Sequence, residues 1–160
     1  FWYVIGRAPL VILHRLANTL DAMWGYKSER FIHFGWCAAR MDDLLGWPSA
    51  KATTLLYALA GSRSHTIVKQ AIINATRQGK SYKSLNGGWV MASGASILGF
   101  RLGGSAEYHG KIQHSPMLGQ GREVSLQDIK TSLELVTRAS TLFIFLVFMT
   151  TLILLLAPFH

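Results

Sequence analysis

An all-α, multi-pass integral membrane protein, with amphipathic helices and polar loops between its spans, is the fold class this sequence predicts. Three observations carry it. Thr141 to Pro158 runs 18 residues without a charge, about the minimum that crosses a hydrocarbon core of roughly 30 Å. Charged residues are 15% of the 160 and mean hydropathy is +0.26, whereas a soluble domain typically carries about 25% charge. Residues 31–45 place apolar side chains at helical spacing on one face. A buried core helix is the alternative for the terminal run, but such helices seldom stay apolar on every face for this long.

Taken in order, residues 1–17 are apolar but interrupted by Gly6, Arg7 and Pro9. This predicts a membrane segment that breaks near Pro9 and restarts towards Asn18. Because the chain opens on Phe1 inside that stretch, it reads as the C-terminal part of a longer protein, with 1–160 as one membrane-embedded unit. In 31–45, Phe34, Cys37, Ala38, Met41, Leu44 and Leu45 share the apolar face, with His33, Trp36, Arg40 and Asp43 opposite. Pro48 is expected to end this helix. Thr53–Gly61 is too short to span alone unless the helix continues past Pro48.

A polar, basic segment follows to Ser84. Gly87–Phe100 is apolar but crowded with Gly, Ala and Ser, which suits either a tightly packed membrane helix or a re-entrant hairpin. Six glycines and prolines in 103–122 give loop composition. Ser125-Leu-Gln-Asp128 matches a capping box that opens a helix. Ile129, Leu133, Val136 and Ser140 then share a face and lead into the terminal span, 141–158.

The formal net charge is +8. Arg63, Lys69, Arg77, Lys80 and Lys83 fall between Ser62 and Ser84 without an acid. In a membrane protein this is first a topology signal, and no nucleic-acid-binding motif accompanies it, so no nucleic-acid partner is expected. Cys37 is the only cysteine, which excludes an internal disulfide and a Cys-based zinc cluster; it reads as a small buried hydrophobe. Gly79-Lys80-Ser81 ends like a phosphate loop, but Asn74 stands where the first Gly is required and AIINATRQ reads as helix, so the motif is rejected. The six histidines are scattered, and no Gly-x-Ser-x-Gly nucleophile motif appears.

Two constellations remain. Asn18, Asp21 and Gly25 lie three and four residues apart and so share a helical face. Facing a polar cavity, the Asn and Asp can bind a cation or a substrate amine; equally, Asp21 can pair with Arg15 or Lys27 at a helix end. Arg40, Asp42 and Asp43 form the second. Adjacent acids split across a helix, so an Arg40–Asp43 ion pair is one reading, and one acid on Mg²⁺ with phosphate oxygens is the other.

Three blocks resemble adenosylcobinamide-phosphate synthase, the CobD/CbiB family. The first is NTLDAMWGY at 18–26 with FGW at 34–36, AAR at 38–40 and DDL at 42–44. The second is LNGGW at 85–89 leading into LGFRLGG at 98–104, and the third is EYHG at 107–110 with LGQG at 118–121. The resemblance implies a multi-pass enzyme of the inner cell membrane in cobalamin biosynthesis. Such an enzyme uses ATP and Mg²⁺ to join aminopropanol phosphate, or a related amino alcohol, to a propionate carboxyl of the corrinoid adenosylcobyric acid. The lipid bilayer, these substrates and other membrane enzymes of cobalamin assembly are the partners it implies.

Residue by residue, the resemblance assigns Asp21, Arg40, Asp42 and Asp43 to catalysis, the three acids also as Mg²⁺ ligands. It assigns Asn18, Thr19, Tyr26, Lys51, Asn86 and Trp89 to substrate. Lys51 stands where the family usually has Arg, and Leu85 where Pro is common. A non-catalytic membrane subunit that binds or transports a corrinoid is the rival, since polar residues near membrane helices suit that too.

Overall fold

The computed structural model describes residues 1–25, 33–62, 64–108 and 110–156. Its elements run α1 (Trp2–Trp24), α2 (Phe34–Gly61), α3 (His65–Gln78), a 3₁₀ turn (Gly79–Ser81), α4 (Leu85–Leu98), β1 (Phe100–Tyr108), β2 (Lys111–Gly119), β3 (Arg122–Glu123) and α5 (Asp128–Leu156). Helix accounts for 76% of the described residues, which are thus mostly helical, but the expectation of an all-α fold is corrected by the small sheet. The chain divides into two compact units, Phe1–Ala50 and Lys51–His160.

In the first unit α1 breaks at Gly6 and at Arg7, whose φ of 52 is positive. The break falls just before Pro9, which then sits in the first turn of the resumed helix, where its missing N–H removes no bond. The helix continues unbroken through Asn18 to Trp24. Helix α2 does not end at Pro48. Proline removes only the bond to the Leu44 carbonyl four residues back, Leu44 lies on an exposed face, and Ser49 Oγ donates to the Gly46 carbonyl at 2.9 Å beside it. Cys37 is exposed rather than buried; Gly35, Ala38 and Ala50, one side of the helix, take the buried positions.

In the second unit, 87–100 is neither a hairpin nor a span. It forms α4, whose 14 residues reach only about 21 Å. Its small residues admit neighbours: Ser93 Oγ donates to the Thr54 carbonyl at 3.4 Å, and a Cβ on Gly94 would touch the Tyr57 ring at 3.4 Å. The 103–122 segment is a sheet, not a loop. Strands β1 and β2 pair antiparallel from Arg101↔Gly119 to Tyr108↔Lys111, and β3 adds in parallel to β1. The glycines that suggested a loop sit at the irregularity between Leu102 and Gly104 and at the turns, where positive φ is required.

Helix α3 carries a polar stripe at every fourth residue that ties it to α4 and to the end of β2. Asn74 is buried; its Nδ2 donates to Ser96 Oγ at 2.8 Å and to Gln120 Oε1 at 3.2 Å, and its Oδ1 accepts from Gln70 Nε2 at 3.1 Å. Gln78 Nε2 donates to the Gly119 carbonyl at 3.2 Å and its Oε1 accepts the Gly119 N–H at 2.7 Å. One side-chain amide thus closes the end of β2 as a further strand would. We expect Asn74→Leu, which strands several of these groups, to destabilise the unit by about 1–3 kcal/mol; an unchanged denaturation midpoint would mean the network is decorative.

Helix α5 opens at Asp128, and half of the expected capping box forms, since the Asp128 N–H donates to the Ser125 carbonyl at 3.0 Å and not to its hydroxyl. Asp128 accepts from Ser125 N at 2.7 Å and Ser125 Oγ at 2.9 Å, and Arg122 grips the same carboxylate at 2.7 and 2.5 Å. From Ala139 to Leu156 it carries no charge, a length of about 27 Å. Its apolar side chains face outward, Ile144 at 67%, Phe148 at 62% and Leu154 at 72% exposure, which suits lipid and not water. Among the described residues, α5 is the one helix long and apolar enough to cross a membrane.

Candidate functional site

Small residues bring the first constellation together. A Cβ on Gly35 would overlap the Trp24 carbonyl, so only glycine lets α2 start against the end of α1. Ala17 and Ala38 are both buried nearby. Asn18 Nδ2 consequently donates to Asp42 Oδ1 at 3.1 Å, although 24 residues separate them in sequence. Gly25 caps α1, its N–H donating to the Asp21 carbonyl at 2.7 Å; any larger residue there would overlap the Asp21 carboxylate.

The adjacent acids do split, as their spacing requires. Asp42 turns to Asn18, while Asp43 lies 3.8 Å from Arg40 Nη1. Arg40 is exposed and also sits 5.7 Å from the centre of the Trp36 ring. Partial burial, with the charges of Asp42 and then Asp43, pushes the Asp21 carboxyl above its ordinary value. Like charges this close favour retention of a proton or recruitment of a cation. Thr19 is exposed on the same helix, and Tyr26 lies outside the described residues.

Residues of α1 and α2 also line an apolar cleft of about 340 Å³, walled by Leu16, Leu20, Trp24, Cys37, Ala38 and Met41 among others. Cys37 therefore lines the cleft instead of filling the core.

Lys51, Asn86 and Trp89 belong to the second unit. The 3₁₀ turn packs directly on the start of α4, where a Cβ on Gly88 would overlap the Gly79 carbonyl. Ser84 Oγ accepts the Gly87 N–H at 3.2 Å and so caps the helix that carries Asn86 and Trp89. Lys51 Nζ lies over the Trp89 ring. A ring face favours the charged ammonium, but burial, with the positive charge of Lys80, outweighs it and lowers Lys51 to about 8.

The sign of the resulting pH effect is fixed. Between about 8 and 10.5 the unfolded chain holds a proton that the folded chain has lost, so stability rises with pH through that window. Lys51→Met should abolish that rise in denaturation midpoints measured in detergent; a rise of equal size in the variant would contradict it.

Sequence reasoning missed the Gln78–Gly119 clamp and the Asn74 network. The available signal was Gln70, Asn74 and Gln78 at intervals of four on an otherwise basic helix. Among the described residues no group of three or more His, Cys, Asp or Glu side chains is placed to hold a metal ion.

Residues 1–136 match the family described as CobD/Cbib protein. Cobalamin biosynthesis protein CobD of Chromobacterium violaceum is 46% identical over 138 residues, covering 86% of this chain and 43% of that protein. The protein of the same name from Stutzerimonas stutzeri is 45% identical over 136 residues, 85% of this chain and 43% of its own. That of Halalkalibacterium halodurans is 37% identical over 151 residues, 93% and 47%. The chain spans less than half the length of these relatives. No solved structure matches it.

Proposed function

The chain belongs to the CobD/CbiB family, and from that premise we propose that it forms part of a cobalamin-biosynthetic ligase, an adenosylcobinamide-phosphate synthase of the multi-pass type in the inner cell membrane. The observation that supports a catalytic reading most is the Asn18–Asp42 bond between two helices, with the charge of Asp42 felt at Asp21. The residues next to them in sequence, Ala17, Leu20 and Met41, line an apolar cleft; an apolar pocket with a few polar groups is the usual make-up of a ligand site.

In this reading ATP passes its γ-phosphoryl group to the free propionate carboxylate of adenosylcobyric acid, leaving ADP. The amine of aminopropanol phosphate attacks the acyl carbon, phosphate departs, and the amine proton passes to a carboxylate. Asp21 suits that last role, because its raised proton affinity brings it closer to the working pH. Arg40 suits the phosphate oxygens. Its present partner Asp43 is an exposed ion pair, and such pairs contribute at most about 1 kcal/mol, so exchange for a phosphate costs little.

The donor chemistry also fits Mg²⁺. Asp21, Asp42 and Asp43 do not group to hold an ion by themselves, but Asp21 with Asp42 offers hard oxygens where negative charge is in excess, and this ion needs only one or two carboxylates when phosphates complete its shell. When bound, it supplies neutralisation of phosphate charge. Lys51, Asn86, Thr19, Tyr26 and Trp89 remain assigned to substrate.

The rival reading, a non-catalytic corrinoid-binding or transport subunit, draws on the apolar cleft alone. To separate them, the chain is reconstituted in membranes, alone and completed with the remaining length of the Chromobacterium violaceum relative. It is then supplied with adenosylcobyric acid, aminopropanol phosphate and Mg-ATP. Mass spectrometry should detect adenosylcobinamide phosphate; corrinoid retention with no new amide would favour the rival.

A further inference from the structure

We propose that the outward face of α3 rests on anionic lipid headgroups, at the membrane surface where α5 enters the bilayer. The inference goes beyond the reaction above and rests only on the reading of α5 as a span.

Depth comes first. Ala71 of α3 shares a buried cluster with Ile97 of α4 and Leu135 of α5. Leu135 precedes Ala139, the start of the uncharged run, by one helical turn, about 6 Å. The polar layer on each side of a bilayer is roughly 5–7 Å thick. The cluster therefore holds α3 at headgroup depth, and its 14 residues are too few to cross.

Chemistry comes second. With Ala71, Asn74 and Ala75 buried inward, Lys69 and Arg77 stand outward, eight residues apart on one face, with half-buried Ile73 between them. Lys69 and Arg77 are exposed, Ile72 beside them is 38% exposed, and exposed Lys80 and Lys83 extend the charge. No acid occurs from Ser62 to Ser84. Basic groups beside the exposed Ile72 fit a surface with phosphates above and acyl carbons beneath. A soluble polyanion would satisfy the lysines but leave Ile72 in water.

The test uses the whole chain with Cys37→Ser and Ile72→Cys, carrying an environment-sensitive fluorophore at position 72. It is placed in nanodiscs of phosphatidylcholine, or of phosphatidylcholine with phosphatidylglycerol. Emission should be blue-shifted and brighter in the anionic discs, and should revert in molar salt, where charges are screened within about 3 Å. Lys69→Gln and Arg77→Gln should each weaken docking about fivefold. Identical spectra in the two discs would overturn the inference alone. Failure to enter either disc would overturn it together with the membrane reading of α5. A shift in neutral discs on adding an oligonucleotide would also overturn it, assigning the face to a soluble polyanion.

Discussion

Asp21→Asn should abolish amide formation while leaving the α1–α2 pair folded. The substitution preserves size, so the room that Gly25 leaves for the side chain stays filled as before. It removes a charge that Asp42 and Asp43 already oppose, so the fold gains if anything. What it loses is the ability to accept a proton or hold a cation. Removal of a general base typically lowers the rate by about 10²–10⁴, and lost ion binding would add to this. Turnover in membranes, read beside the thermal midpoint, checks the prediction. Full activity in the variant would remove Asp21 from the mechanism, and a collapsed midpoint would make its role structural.

The largest stability effect is expected at Gly119→Ala. Gly119 is buried with φ +82, and an added Cβ would lie 2.5 Å from Ala95 Cβ and 2.6 Å from the Phe100 carbonyl. Left-handed backbone at a residue with a side chain is disfavoured by about 1–2 kcal/mol, and overpacking a closed contact adds about 1–3 kcal/mol. Relief by backbone movement would stretch both Gln78 bonds at this residue. A loss of about 2–5 kcal/mol follows from these terms. Gly99→Ala provides the control: its φ is +74, but nothing lies within 4 Å of the added carbon. It should show only the conformational part, about 1–2 kcal/mol. Equal midpoints for the two variants would mean that the end of β2 does not depend on this close approach.

What was legible in the sequence depended on how local its cause was. The Ser125–Asp128 cap is a four-residue interaction, and it was readable as such. The charge-free run after Arg138 announced α5 without any tertiary information. The parting of Asp42 and Asp43 followed from helical geometry alone, although the partner Asn18 was hidden because it lies on another helix. Pro48 misled because a proline inside a helix is tolerated where the freed carbonyl faces an exposed side, which a sequence does not display. Cys37 misled because the α1–α2 cleft it lines is open. The hairpin was illegible for a related reason. Gly103, Gly104, Gly110 and Gly119 all have positive φ, and their number mimics a loop until cross-strand pairing assigns them to an irregularity and to strand ends. Tyr26 lies outside the described residues, and the Asn18–Asp42 bond joins two groups that the sequence offered only as separate constellations.

The most direct test of the account is the ratio of ADP released to amide formed by the completed enzyme in membranes. ATP-driven acyl activation predicts one ADP per adenosylcobinamide phosphate, with neither produced when either corrinoid or amine is omitted. Amide formed without ADP, or corrinoid bound with neither product, would contradict it.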